Sequence, residues 1–151
     1  MPGWIWFGDK YPTTWPGKPP QMLDRDFPVW SEFREKNYDK YDYFYYNVAM
    51  TLTELDTTNM TPNMIKQAYY AIAKRVDVLA VKGKMKFLIE VTTRAAVRSV
   101  GQAITYLFLY QTITGEKDNV KSVILCNYTD KDILEVCKHY GIEVIQLHPI
   151  T

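Results

Sequence analysis

Residues 75–106, RVDVLAVKGKMKFLIEVTTRAAVRSVGQAITY, decide the fold of this chain. Two apolar runs, VDVLAV and MKFLIEV, flank a Gly-Lys dipeptide, and this pattern predicts two strands joined by a two-residue hairpin loop. In that register Lys82 faces Met85. Counting back along both strands then brings Asp77 opposite Glu90.

This facing acid pair predicts a metal site. Directly opposed β-carbons in a hairpin lie about 5 Å apart, and two carboxylates that close repel unless a cation sits between them. Carboxylate oxygens are the ligands that Mg²⁺ takes in proteins. We therefore expect Asp77 and Glu90 to hold Mg²⁺, or Mn²⁺ in its place.

Length and composition indicate one domain. A chain of 151 residues that is 47% hydrophobic can bury a core. It contains no apolar run of the roughly 18 residues that a membrane span needs, and no signal peptide pattern. Cys126 and Cys137 are predicted to be buried thiols of a reducing compartment rather than a disulfide. We therefore expect a cytoplasmic protein that has no contact with membranes.

The net charge of +1 conceals a local imbalance. Residues 66–98 contain eight lysines and arginines against Asp77 and Glu90, a local +6, so the rest of the chain carries −5. Such a run is either a solvated face or a basic collar suited to a polyanion such as DNA. The candidate nucleic-acid contacts are Lys82, Lys84, Lys86, Arg94 and Arg98.

Residues 1–23 differ in composition from the rest, with five prolines and three tryptophans. The prolines exclude regular structure there, whereas the tryptophans are unusual in disordered segments. We expect an extended arm, laid against its own domain (residues 24–151) or against a protein partner or second copy. Trp4, Trp6 and Trp15 are the candidate interface anchors.

The remaining pattern predicts an α/β fold. The expected elements are a helix capped by Asp26, a strand over 41–52, a helix starting at Thr61, the hairpin, a helix near 94–111, a strand at NVKSVILCN, a helix capped by Thr129 or Asp130, and a strand at EVIQL. The closing strand–helix–strand order favours parallel pairing. A mixed sheet with helices on both faces follows.

The helix after the hairpin carries two stripes. The polar stripe, with a four-residue spacing, is Arg94, Arg98, Gln102, Tyr106 and Tyr110. The apolar stripe, which we expect to dock on the sheet, is Val97, Val100, Ile104, Leu107 and Phe108. Arginine, glutamine and tyrosine beside an acid pair suit a phosphate or a base.

With these residues the chain resembles the PD-(D/E)xK nuclease superfamily, especially its RecB-like branch. The matching motifs are Asp77, Glu90-Val91-Thr92 and the Gln-x-x-x-Tyr run from Gln102 to Tyr106. The resemblance covers residues 61–147 and extends to small phage-encoded members. It implies a restriction-endonuclease-like, three-layer α/β/α fold with a central mixed sheet, and Mg²⁺-dependent cleavage of DNA.

One position departs from the family pattern: Thr92 occupies the place of the lysine. The resemblance implies that this lysine orients the attacking water and steadies the transition state, and threonine carries no charge. Arg98 is the best substitute, because the chain turns back into its helix after Thr93. An additional acid from another element also belongs to the pattern, and the candidates are Glu32, Glu35 and Glu54.

Three functions follow. The first is a metal-dependent DNA nuclease with Asp77, Glu90, Thr92, Arg98, Gln102 and Tyr106 in its active site. The second is a nuclease-fold protein that has lost its chemistry and binds DNA or protein. The third is a structural or assembly component, for example of a phage particle, anchored through residues 1–23.

Overall fold

The computed structural model describes residues 2–150. Its helices are α1 (Phe27–Asn37), α2 (Pro62–Ile72), α3 (Val97–Thr114) and α4 (Lys131–His139). Its strands are β1 (Trp4–Trp6), β2 (Lys10–Tyr11), β3 (Tyr43–Thr51), β4 (Lys74–Lys82), β5 (Met85–Val91), β6 (Val120–Cys126) and β7 (Glu143–Gln146). From α1 onward the order of these elements is the predicted one.

The strands form one mixed sheet in the order β1-β3-β4-β5-β6-β7, with β2 beside β1 on the same edge of β3. Pairing is antiparallel from β1 through β5 and parallel for β5–β6 and β6–β7. Lys82 pairs with Met85 and Val78 with Ile89, so the predicted hairpin register is confirmed. Gly83 supplies a left-handed φ of 58° at the turn.

Strands β3 and β4 change which face their side chains present near Asp77. Tyr46 and Val78 pack in the cluster on one face of the sheet, while Val48 and Val76 pack on the other. Strict alternation would keep positions 46 and 48 on one face. The switch occurs at Asn47, whose φ of 54° is left-handed, and which lies across from Asp77. The acid therefore occupies the point where the two strands twist.

Helices cover both faces, which confirms the predicted α/β architecture. Helix α1 packs its Val29, Trp30 and Phe33 against strands β3 to β6. Helices α3 and α4 pack against the opposite face in two adjoining clusters. Cys126 and Cys137 are buried and unlinked there, as expected. Within residues 2–150, none of the helices is long and apolar enough to cross a membrane.

The expectation that residues 1–23 lack regular structure is wrong, because β1 and β2 lie between their prolines and belong to the same sheet. Of the two arrangements expected for it, the structure shows the arm laid against its own domain, with β1 and β2 paired to β3. Trp4 stacks on Tyr69 of α2, with ring centroids 5.3 Å apart. Trp6 packs edge-on against Tyr70, and Trp15 joins the α1 cluster. The three tryptophans are half-buried against their own chain, and an anchoring role toward a partner stays a prediction.

The predicted docking face of α3 is wrong at three positions. Val97, Ile104 and Phe108 are exposed, with Val97 at 79% of its full accessible area. The buried face instead contains Val100, Ala103, Leu109 and Ile113 together with Tyr106 and Tyr110 from the polar stripe. The four-residue spacing drifts around the helix, so the stripe runs from solvent at Arg98 into the core at Tyr110.

Candidate metal and nucleic-acid site

A polar cavity of about 270 Å³ opens at the carboxyl end of β5. It lies between the start of α1 and the first turns of α3. Its walls include Gln21, Leu23, Arg25, Asp26, Asp77, Glu90, Val91, Thr92, Arg94, Ala96, Arg98, Ser99 and Gln102. Most of the predicted site residues are thus brought to one place.

Asp77 and Glu90 lie just beyond the last paired residues of the hairpin. The Val91 backbone N–H donates to Asp77 Oδ2 at 2.8 Å, so the carboxylate takes the place of a strand partner where the two strands diverge. Glu90 is only 7% exposed, and its Oε1 is fully buried without a hydrogen-bond partner. A buried carboxylate oxygen without a partner is costly unless a ligand completes it.

Both carboxyl groups are held in an environment that disfavours their charge. Burial raises the pKa of Asp77 to about 6, helped by the nearby charge of Asp26. Burial also raises the pKa of Glu90 well above its usual value, and the charge of Asp77 adds to the effect. The Arg98 charge lowers the pKa of Glu90 and so opposes this shift. The pair is electrostatically strained without a cation.

Asp26 is a third acid at the site that sequence reasoning did not assign to it. We expected Asp26 only as the cap of α1, yet its side chain makes no capping hydrogen bond and lines the cavity instead. Burial raises the pKa of Asp26. An acid just before a helix that has proline in its first turn is typical of an N-cap. The sequence near Asp26 therefore gave no signal that its side chain lines the cavity.

The additional acids predicted from the sequence lie elsewhere. Glu32 contacts His148 at 2.9 Å and Lys36 at 3.4 Å. Glu35 lines a different cavity beside Arg34, and Glu54 is exposed in the loop after β3. None of these three acids lines the cavity around Asp77 and Glu90, where the additional acid is Asp26.

Thr92 occupies the family's lysine position at the cavity wall. Its hydroxyl donates to the Arg94 carbonyl at 3.3 Å. Arg94 makes a long ion pair with Asp130 at 3.8 Å. Arg98 is exposed, and its charge lowers the pKa of both Glu90 and Tyr106. It is therefore close enough to interact electrostatically with the Glu90 carboxylate.

Gln102 and Tyr106 sit one and two turns further along α3. Gln102 lines the cavity, while Tyr106 is buried beneath it. Burial raises the pKa of Tyr106 to about 12, and the charges of Glu90 and Asp77 contribute. Tyr106 therefore remains a neutral hydroxyl below the acids, suited to positioning rather than to proton transfer near neutral pH.

The structure does not bring the hairpin lysines to this cavity. Lys82 and Lys84 flank the turn at the far end of the hairpin, and Lys86 lies four residues, about 13 Å, from Glu90 along β5. Lys82 pairs with Asp42 and Lys86 with Glu116. The cations at the cavity are instead Arg25, Arg94 and Arg98.

The donor set fits a hard divalent cation that keeps part of its water shell. Within residues 2–150 no three His, Cys, Asp or Glu side chains form a complete ligand set. Mg²⁺ is commonly held by one or two carboxylates plus water and phosphate oxygens. Asp77 and the unpartnered Oε1 of Glu90 match that requirement, with Asp26 adding negative charge nearby.

No protein-family model matches the chain, and no curated protein matches it. Among solved structures, it is similar to a crystal structure of a repair endonuclease from Pyrococcus abyssi, with a TM-score of 0.45 and 16% sequence identity. The match covers 68% of this chain and 53% of that chain, about half of the endonuclease. A likeness of this size assigns no function.

Proposed function

We propose that this protein is a metal-dependent nuclease of the PD-(D/E)xK type, which hydrolyses phosphodiester bonds in DNA. The observation that carries the proposal is the buried Oε1 of Glu90, left without a partner beside the Asp77 carboxylate. Folding a chain around two strained acids costs stability, and a bound cation offsets that cost.

The surroundings of the acids support the same proposal. The hairpin carrying Asp77 and Glu90 is followed by a helix with Gln102 and Tyr106, then by two parallel strands, which is the order the family resemblance implies. Arginines ring the acids and suit a phosphate. A restriction-endonuclease-like fold accounts for this arrangement.

In this proposal each residue of the site has a chemical role. Asp77 and Glu90 hold Mg²⁺, which when bound polarises a phosphate oxygen and lowers the pKa of a bound water. Arg98 neutralises charge on the phosphate, in the place the family gives to lysine. Thr92 contributes a hydroxyl oxygen that accepts a hydrogen bond from water, since its proton is donated to the Arg94 carbonyl. Gln102 positions the substrate from the cavity wall, and Tyr106 supports it from below.

The uncharged Thr92 favours a second candidate, a nuclease-fold protein that binds a cation and DNA without turnover and serves in a larger assembly. The two candidates differ in one experiment: cleavage of single- and double-stranded DNA by the purified protein in Mn²⁺ or Mg²⁺, beside an EDTA control. Thermal unfolding with and without the metal runs in parallel. Metal-dependent cutting supports the nuclease. Stabilisation by metal without cutting supports the second candidate. The absence of both cutting and stabilisation would contradict both candidates.

We expect Arg98→Ala to lower the rate of DNA cleavage by about 100-fold, the effect of removing one charged donor from a transition state. Loss of the guanidinium also raises the pKa of Glu90, so the acidic limb of the pH–rate profile moves to higher pH. Lys84→Ala removes the same charge at the far end of the hairpin and is the matched control. Equal rates for the two variants would show that Arg98 does not replace the lysine.

A further inference from the structure

A second cavity adjoins the acid site and belongs to none of the roles assigned so far. It measures about 470 Å³ and lies where β6 ends and α4 begins. Arg94 lines both cavities, so the two share one wall. A volume in this range is typical of small-ligand sites.

The walls of this second cavity combine apolar and hydrogen-bonding surface. Leu134, Pro149 and Ile150 supply the apolar part, and Tyr128 an aromatic ring. The Gln146 side-chain oxygen accepts from the Thr129 N–H at 3.1 Å, which leaves the amide NH₂ as a donor. A nucleobase is a flat neutral ring with hydrogen-bond acceptors on its edge. It can therefore contact the apolar side chains, stack on the aromatic ring and accept from the amide donor.

The negative charge of Asp130 favours a neutral base over a phosphate inside this cavity. The start of α4 would attract an anion, but the Asp130 carboxylate already occupies it by accepting from the Ile133 N–H at 3.0 Å. A phosphate inside would meet that carboxylate. Arg94 and Lys131 instead lie at the wall, where the sugar–phosphate backbone entering the acid site would pass.

We propose that this cavity receives the base of one unpaired nucleotide adjacent to the scissile phosphate, with Arg94 contacting the phosphate between the two cavities. The inference rests on the proposed nuclease function. A base in a duplex must leave its stack and its partner to enter such a cavity, which disfavours duplex DNA. The protein is therefore selective for single-stranded DNA or frayed ends.

The test is binding of a short single-stranded DNA and of the duplex of the same sequence, measured by fluorescence anisotropy in an Asp77→Asn background without divalent cations. The substituted side chain keeps an oxygen that can accept from the Val91 N–H, so the background is expected to fold. Leu134→Trp fills the cavity. Val136→Trp places the same indole on the same helix outside the cavity.

We expect Leu134→Trp to weaken single-strand binding by about 10-fold, the scale of one lost base contact, and to change duplex binding little. Val136→Trp should leave both unchanged. Leu134→Phe serves if circular dichroism shows that the tryptophan variant is unfolded. Equal single-strand affinities for the position-134 and position-136 variants, or equal weakening of both DNA forms, would overturn the cavity assignment alone. No binding of either DNA by the Asp77→Asn protein would also overturn the cavity assignment, while the nuclease proposal is tested separately, by cleavage in Mg²⁺ or Mn²⁺.

Discussion

Glu90→Gln is expected to make the protein more stable at pH 8 and inactive. The neutral amide removes a buried charge that faces Asp77, and we expect the free energy of unfolding to rise by roughly 1–3 kcal/mol. For a chain of this length that raises the melting temperature by about 2–12 °C. Cleavage should fall by about 1,000-fold, because losing a metal ligand exceeds the 10- to 100-fold cost of losing its supporting contacts.

The pH dependence of stability has a definite sign. The pKa of Asp77 and that of Glu90 are higher in the folded state than in the unfolded chain. Between the unfolded and folded pKa values of each acid the folded state binds more protons, so stability falls as pH rises: from about 4 to about 6 for Asp77, with Glu90 adding a fall of the same sign above its usual pKa. Glu90→Gln should flatten this slope. A bound cation should reverse it, since metal binds the deprotonated acids.

Thermal and urea unfolding between pH 4 and 8, with and without Mg²⁺ or Mn²⁺, measures both effects. Wild type should gain stability from the metal, and the Glu90→Gln and Asp77→Asn variants should not. Glu135→Gln, on the exposed side of α4, is the control for a neutralised acid outside the site. A destabilised Glu90→Gln protein that still responds to metal would contradict the assignment of Glu90 as a ligand.

Trp30→Ala is expected to produce the largest loss of stability. Trp30 is fully buried at the centre of the α1 cluster, with Phe44 and Tyr46 ring centroids 5.0 and 5.9 Å away. Its indole N–H donates to the Tyr46 hydroxyl at 3.3 Å. Removing the ring leaves a cavity and costs about 3–5 kcal/mol, a large share of the roughly 5–15 kcal/mol that such domains possess.

Urea denaturation of Trp30→Ala beside Trp30→Phe separates the two contributions. The phenylalanine variant keeps most of the apolar contact and loses the hydrogen bond, so it should cost about 1–2 kcal/mol. Because Asp26 immediately precedes α1, Trp30→Ala should also weaken metal binding indirectly. A loss below about 1 kcal/mol would mean that the face of the sheet under α1 is not a tightly packed core.

The sequence determined the features that depend on local geometry. A two-residue turn at Gly83 leaves one antiparallel register, so the proximity of Asp77 and Glu90 followed from counting. Helix starts also followed from neighbouring residues: Thr61 and Asp130 cap α2 and α4 through hydrogen bonds three residues away. These interactions form within a few residues and need no other part of the chain.

Tertiary structure alone decided which residues surround the acids. Asp26 reaches the cavity because α1 packs across the sheet by way of Trp30, and no pattern near residue 26 carries that information. Phe108 is exposed and Tyr106 is buried, the reverse of what the two stripes of α3 predicted. The sequence of α3 is therefore compatible with more than one choice of buried face. Packing against the sheet determines which face of α3 is buried, because burial depends on contacts between segments far apart in the chain.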